Sequence, residues 1–250
     1  MAMKISVITA SRNVESTLPR LYGSLAAQTY DNFEWVVADG LSTDTTVNLL
    51  RQYSGRSPWV RFSSERDFGI YDALNKAIAT SDGEFYVVAG ADDFFDAHAL
   101  TRYAEFAERT EADVVLARVS RGGRVIGGLH PNKAWIGPAR VFGGSHSVGM
   151  LFRKNLHARF GMYSRRFPLL ADSYFLKTLL RSGSVKFVDA DFVAGEFADT
   201  GATAVNKLQV LAETFQIQML TERRPLLQML LTFGKMLVRY PAVKRELQRQ

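Results

Sequence analysis

Four short apolar runs in the first half of the chain each stop at a cluster of polar residues, and amphipathic stretches separate them. Residues 4–9 give way to Ala10-Ser11-Arg12-Asn13, and residues 33–38 to Asp39-Gly40. Residues 60–63 lead into Ser64-Glu65-Arg66-Asp67, and residues 84–89 into Gly90-Ala91-Asp92-Asp93. Runs this short and this apolar read as buried strands. Helical spacing fills the gaps. Leu18, Leu21 and Leu25 share one face of a helix ending near Gln28. Residues 43–53 read as a short helix capped by Ser42 or Thr43. Residues 70–80 point Ala73, Leu74, Ala77 and Ile78 inward, and a further helix over 96–109 precedes a strand at 113–117. Strands alternating with helices of this length predict a doubly wound, Rossmann-like, mostly parallel central sheet flanked by helices. Such a sheet gathers its strand ends on one edge, where ligands bind.

Beyond Arg118 the pattern loosens. Residues 119–146 are rich in glycine and basic residues without clear periodicity. Strands are expected at 147–152, 185–188 and 192–196, and a helix at 171–181. From residue 203 the chain reads as a C-terminal helical extension, with Leu208, Leu211, Phe215 and Met219 on one stripe. The segment 225–243 is apolar but broken by Gln228, Thr232, Gly234, Lys235, Arg239 and Pro241, so it does not read as a transmembrane span. With its interspersed arginines and lysines, it fits either a helix lying on an anionic membrane or one packed on the domain or a partner subunit.

Charge is strongly segregated. Residues 1–113 carry 10 Lys/Arg against 17 Asp/Glu, whereas residues 114–188 carry 13 against one acid, Asp172. The last 28 residues carry 7 against 1. A basic segment facing an acidic half suggests a cleft for a polyanion such as a nucleoside diphosphate, and no nucleic-acid-binding motif is present. The absence of cysteine excludes disulfides, thiolate metal sites and a cysteine nucleophile, and suits a reducing cytoplasm. The first residues enter a strand directly, without the basic and small-residue pattern of a signal peptide.

Asp92 and Asp93 are the sharpest chemical signal. Adjacent carboxylates repel, so they call for solvent or a cation, and a hard divalent ion with bound phosphates suits a strand end. The alternative is a capping pair for the following helix. No Gly-x-Gly-x-x-Gly or Walker pattern follows the first strand, which argues against a dinucleotide fold, a P-loop or a nucleotidyltransferase.

Three stretches together carry a resemblance. They are Ser6-Val7-Ile8-Thr9-Ala10-Ser11-Arg12-Asn13, the run 24–44 containing Val36-Val37-Ala38-Asp39-Gly40, and Ser64-Glu65-Arg66-Asp67-Phe68-Gly69-Ile70-Tyr71-Asp72-Ala73-Leu74-Asn75-Lys76-Ala77 leading to Ala91-Asp92-Asp93. Over residues 4–95 the chain resembles a family 2 glycosyltransferase with the GT-A fold, of the bacterial polysaccharide-assembly type. The resemblance implies a donor-binding half at 1–118, an acceptor-binding and catalytic half at 119–202, and C-terminal helices at 203–250. It implies an inverting transfer from a nucleotide-diphosphate sugar, UDP-linked, to a saccharide or lipid-linked saccharide at the inner face of the cytoplasmic membrane. Asp39 matches the acid that bonds the base, and Thr9, Ala10, Ser11 and Asn13 belong to the turn against it. Asp92 and Asp93 match the metal-binding acids for Mn²⁺ or Mg²⁺, although Ala91 stands where the motif carries another acid. Glu65, Asp67, Asp72 and Asn75 fall on the same edge, with capping the alternative for Asp72 and Asn75. His146 matches an acceptor-side or metal-side histidine, with a structural histidine as the alternative.

Asp172 is the expected general base, both from the resemblance and as the lone acid among 13 basic residues; a salt-bridge hub is the alternative. Arg153, Lys154, Arg165 and Arg166 are candidate diphosphate contacts. His130, Trp135 and Gly143-Gly144 suggest a closing loop. A nucleotide-binding scaffold without activity is the non-enzymatic alternative.

Overall fold

β1 (Ile5–Ser11), β2 (Phe33–Asp39), β3 (Val60–Ser64) and β4 (Phe85–Val88) form the parallel half of one sheet, in the order β3-β2-β1-β4. Parallel neighbours need long crossovers, and these carry α1 (Leu18–Ala26), α2 (Thr46–Arg56) and α3 (Ile70–Thr80). Successive strand residues point to opposite faces. Val7, Val37 and Val87 therefore pack with Leu21, Leu25 and Leu50 of α1 and α2, while Ile8, Val36 and Tyr86 pack with Leu74, Ala77 and Ile78 of α3. The computed structural model describes residues 3–143, 147–197 and 206–247. His146 and Gly144 lie outside them.

The second half completes a mixed sheet. Its elements are β5 (Phe94–Phe95), α4 (Ala99–Thr110), β6 (Val114–Arg121), β7 (Arg124–Ile126), α5 (Pro138–Val141), β8 (Met150–Arg153), α6 (Leu156–Phe160), α7 (Ala171–Ser182) and β9 (Phe187–Glu196). The order continues β4-β8-β6-β9-β5, with β7 paired to β6. β8 runs antiparallel to both β4 and β6, whereas β6 and β9 are parallel. The glycine-rich stretch after Arg118 contains a tight hairpin: Gly122 and Gly123 take φ values of 55° and 76° between the paired Arg121 and Arg124. A two-residue turn with both φ positive suits glycine and matches strand twist.

Two expectations are corrected here. Residues 185–188 and 192–196 are not separate strands; they belong to the single β9. Asp189 and Asp191 face outward from it while Ala190 and Phe192 face the core. The C-terminal helices are α8 (Lys207–Thr221) and α9 (Pro225–Leu247). The inward face of α8 carries Leu211, Glu213, Ile217 and Gln218, while Leu208 of the expected stripe is exposed.

Candidate active site

Register places Ser11, Asp39 and Ser64 side by side at the carboxyl edge of the sheet. Ser11 Oγ and Ser42 Oγ donate to Asp39 Oδ1 at 3.1 and 2.5 Å, and Ser42 N–H and Ser64 Oγ donate to Oδ2 at 3.0 and 2.7 Å. Asp39 is 2% exposed, so burial of its carboxylate is balanced by four donors. Four bonds fill its acceptor sites. A further N–H donor reaches it only when a serine hydroxyl turns away. Ser42 is thus a partner of Asp39 rather than the cap of α2. That position falls to Thr45, while Thr46 N–H donates to Asp44 at 3.0 Å.

The loops after β1 and β2 are laced together. Asn13, at φ 54°, accepts the Thr43 N–H at 2.8 Å, and its own N–H donates to Ser42 Oγ at 2.8 Å. Glu15 accepts from Thr45 N–H at 2.8 Å. Thr9 turns inward, where its hydroxyl accepts from Trp35 Nε1 at 2.9 Å, leaving Ala10 to face the cleft. Asp67 accepts the Gly69 N–H at 2.9 Å and lies against Gly40, where a Cβ would come 2.3 Å from its Oδ2. Gly40 thus lets loop and carboxylate approach. Glu65 is exposed and pairs with Lys76 at 3.2 Å.

After β4 the chain turns at Gly90. Asp92 Oδ1 and Asp93 Oδ2 lie 2.9 and 3.1 Å from the point a Cβ of Gly90 would occupy, so the two carboxylates converge over that glycine. Asp93 is 1% exposed and accepts the Gly90 N–H at 2.7 Å; Asp92 is half-buried, and Ala91 is buried behind them. Among the described residues no group of three or more His, Asp or Glu forms a complete metal cage. Two converging carboxylates at a glycine turn fit a hard cation whose remaining ligands are phosphate oxygens and water, the usual Mg²⁺ arrangement.

Asp172 opens α7. Its Oδ1 accepts the Ser173 N–H at 2.7 Å and the Tyr71 hydroxyl at 2.7 Å, and the same hydroxyl reaches Leu169 O at 3.0 Å. Burial and the Asp172 charge push the Tyr71 hydroxyl well above its ordinary pKa, so it stays a neutral donor. A cavity of about 100 Å³ joins Asp172 and Tyr71 to Ala10, Gly90, Ser147 and Tyr163. The cavity thus reaches from Asp172 to the ends of β1 and β4 at Ala10 and Gly90, while Asp39, Asp92 and Asp93 are not among its described lining residues.

Other predicted residues fall elsewhere. Asn75 exchanges two hydrogen bonds with the Tyr163 backbone, at 2.9 and 3.0 Å, and so joins α3 to the loop after α6. Asp72 pairs with Arg165 and accepts the Phe68 N–H at 3.2 Å. Burial works to raise its pKa, but the Phe68 N–H and Arg165 outweigh it and hold the carboxyl below its usual range. Arg153 sits opposite Phe85 at the start of β4, beside Glu84 and Asp113, and Lys154 bonds Ser81 O. Both therefore lie at the far edge of the sheet, away from the strand ends, and are not diphosphate contacts here. The segment expected to close over the site is fastened. Trp135 O accepts from Gln218 and Gln228 at 3.0 and 3.1 Å, and Ile136 O accepts from Lys235 at 2.6 Å.

The profile described as "Glycosyl transferase family 2" matches residues 6–182. The chain belongs to this family. It is thus a glycosyltransferase. It is 28% identical over 186 residues to the PGL/p-HBAD biosynthesis glycosyltransferase of Mycobacterium tuberculosis, covering 68% of this chain and 67% of that one. It is 31% identical over 120 residues to the poly(ribitol-phosphate) beta-N-acetylglucosaminyltransferase TarS of Staphylococcus aureus, covering 47% of this chain and 21% of that protein. The mannosyltransferase PcManGT of Pyrobaculum calidifontis, solved with GDP-Man and Mn²⁺, superposes with a TM-score of 0.70 at 17% identity, over 94% of this chain and 69% of that one. The fold of this family 2 glycosyltransferase is accordingly GT-A. Tyr71, whose hydroxyl reaches Asp172, is a cavity residue that pattern reading passed over although it lay within the resembling stretch.

Proposed function

We propose that the protein transfers a sugar, with inversion, from a UDP-linked donor to a saccharide acceptor in cell-surface polysaccharide synthesis. The observation that carries this reading is the cavity at the ends of β1 and β4, in which Asp172 is the only carboxylate among the described lining residues. A single base suffices for one displacement, whereas a covalent route needs a second carboxyl group as nucleophile. Asp39, Ser11 and the Ala10 turn hold the base, and Asn13, Glu65 and Asp67 shape the loops around it. Asp92 and Asp93 hold a divalent cation, Mn²⁺ or Mg²⁺, which when bound neutralises charge on the diphosphate. Asp172 takes the proton of the acceptor hydroxyl as its oxygen bonds the anomeric carbon and the bond to the diphosphate oxygen breaks. The Tyr71 hydroxyl and Ser173 N–H keep the carboxylate aimed. Replacing Asp172 with Asn removes the base without changing its volume; transfer should disappear while nucleotide binding persists. Full transfer by that variant would end the assignment.

The acceptor is lipid-linked in this reading. No described helix is long and apolar enough to cross a membrane. However, α9 exposes Leu226, Met229, Leu230, Phe233 and Leu237 at helical spacing. A groove of about 790 Å³ beneath it is lined by Leu170, Ser173, Leu211, Leu231, Arg140 and Lys235. Leu170 and Ser173 flank Asp172, so an apolar chain with an anionic head would bring its sugar toward the base. The stripe and the basic tail fit the inner face of a cytoplasmic membrane.

A further inference from the structure

Glu213 of α8 is 4% exposed and lies beyond the residues matched by the family profile. A buried carboxylate needs donors to offset its desolvation. It finds them at the entry to α7: Leu170 N–H donates to Oε2 at 2.9 Å, Leu169 N–H to Oε2 at 3.0 Å, and Gln209 Nε2 to Oε1 at 2.9 Å. Leu170 is the N-cap of α7, and its own side chain cannot cap. Glu213 therefore caps α7 from another helix, at the end where a negative charge is favoured. Asp172 stands two residues along.

The same short segment is gripped from the other side. Tyr71 binds Leu169 O and Asp172 Oδ1 through one hydroxyl. Within residues 169–172, the N–H groups of Leu169 and Leu170 are thus held by α8, while Leu169 O and Asp172 Oδ1 are held by α3. We infer that Glu213 is the positioning residue for Asp172, fixing the height and direction at which the base enters the cavity. The C-terminal helices are then part of the catalytic frame, beyond any membrane or packing role. This inference rests on Asp172 as the base.

The test uses the full chain with E213A, E213D, E213Q and D172N, and reads kcat, donor KM and UDP affinity. E213D keeps the charge and retracts the carboxylate by one methylene; E213Q keeps the length and one acceptor oxygen. Displacement of a reacting group by about 1 Å costs on the order of 10²-fold. E213D and E213A should therefore lose on the order of 10- to 100-fold in kcat. UDP affinity and donor KM should stay unchanged, and E213Q should recover most of the rate. A purely structural Glu213 would lower the folded fraction and shift kcat and UDP binding together, and that pattern overturns the inference. Wild-type kcat in E213D overturns it as well, even if E213A fails to fold. D172N separates the two readings. Active D172N removes the base assignment, and this inference with it. Inactive D172N beside fully active E213D and E213A removes only the role of Glu213.

Discussion

Replacing Tyr71 with Phe removes one oxygen and keeps the ring. That oxygen donates to a carboxylate at 2.7 Å and to a backbone carbonyl at 3.0 Å, in a site where Tyr71 is otherwise buried. A hydrogen bond to a charged group contributes about 1.5–3 kcal/mol, and a buried acceptor left without its donor adds to the loss. Because the cleft admits water that can replace part of the interaction, a net cost of about 2 kcal/mol is expected. For a domain of this length each kcal/mol moves the midpoint by about 2–4 °C, so thermal unfolding should begin to favour the Phe variant's unfolded state about 4–8 °C lower. The freed 169–172 segment should also blunt catalysis, lowering kcat by at least about tenfold. Differential scanning calorimetry and a radiolabelled transfer assay on the same preparation measure both. A variant with an unchanged midpoint and unchanged kcat would refute the idea that the hydroxyl orients the base.

Three further outcomes are expected. His157 is held neutral, its Nε2 against the Tyr86 hydroxyl at 2.7 Å and its Nδ1 against Gly161 O at 3.0 Å, and burial lowers its pKa. The unfolded chain then binds more protons below about pH 6.5, so stability falls as pH drops through that range; His157→Gln should flatten this decline in calorimetric scans. Lys177 is 0% exposed, its pKa lowered by burial against the opposing pull of Glu222, which it meets at 2.6 Å. Glu222→Ala should destabilise by about 3–5 kcal/mol in urea titrations, whereas Lys177→Met with Glu222→Leu should cost clearly less, because no charge is left buried alone. Finally, Leu230→Ser with Phe233→Ser should abolish sedimentation with vesicles rich in phosphatidylglycerol while leaving UDP binding intact; unchanged sedimentation would remove the membrane role of α9.

The strand ends were legible because their cause is local. A buried run must stop at a polar turn, and parallel topology then brings Ser11, Asp39, Ser64 and Asp92-Asp93 to one edge. β9 was split in two because its alternation, with Asp189 and Asp191 facing outward, breaks an apolar run without breaking a strand. The α8 face was misjudged for a different reason. Glu213 and Gln218 are buried because backbone groups at 169–170 and 134–135 need partners, and those partners come from sequence-distant loops that no hydrophobic periodicity records. Within the basic segment, Arg118, Arg153 and Arg165 pair with Asp189, Glu84 and Asp72, partners distant in sequence that charge counting does not record. The expectation at Asp172 came from the resemblance and from its isolation in charge; its contacts with Tyr71 needed the fold.

The most direct test of donor binding is calorimetric titration of UDP, GDP, dTDP and CDP into the protein, with and without Mn²⁺ or Mg²⁺. Metal-dependent binding of UDP in preference to the others is expected, weakened by Asp39→Ala and abolished by Asp93→Ala. Absence of binding by every nucleotide, or UDP binding indifferent to both substitutions, would contradict the placement of the donor site at the ends of β1, β2 and β4.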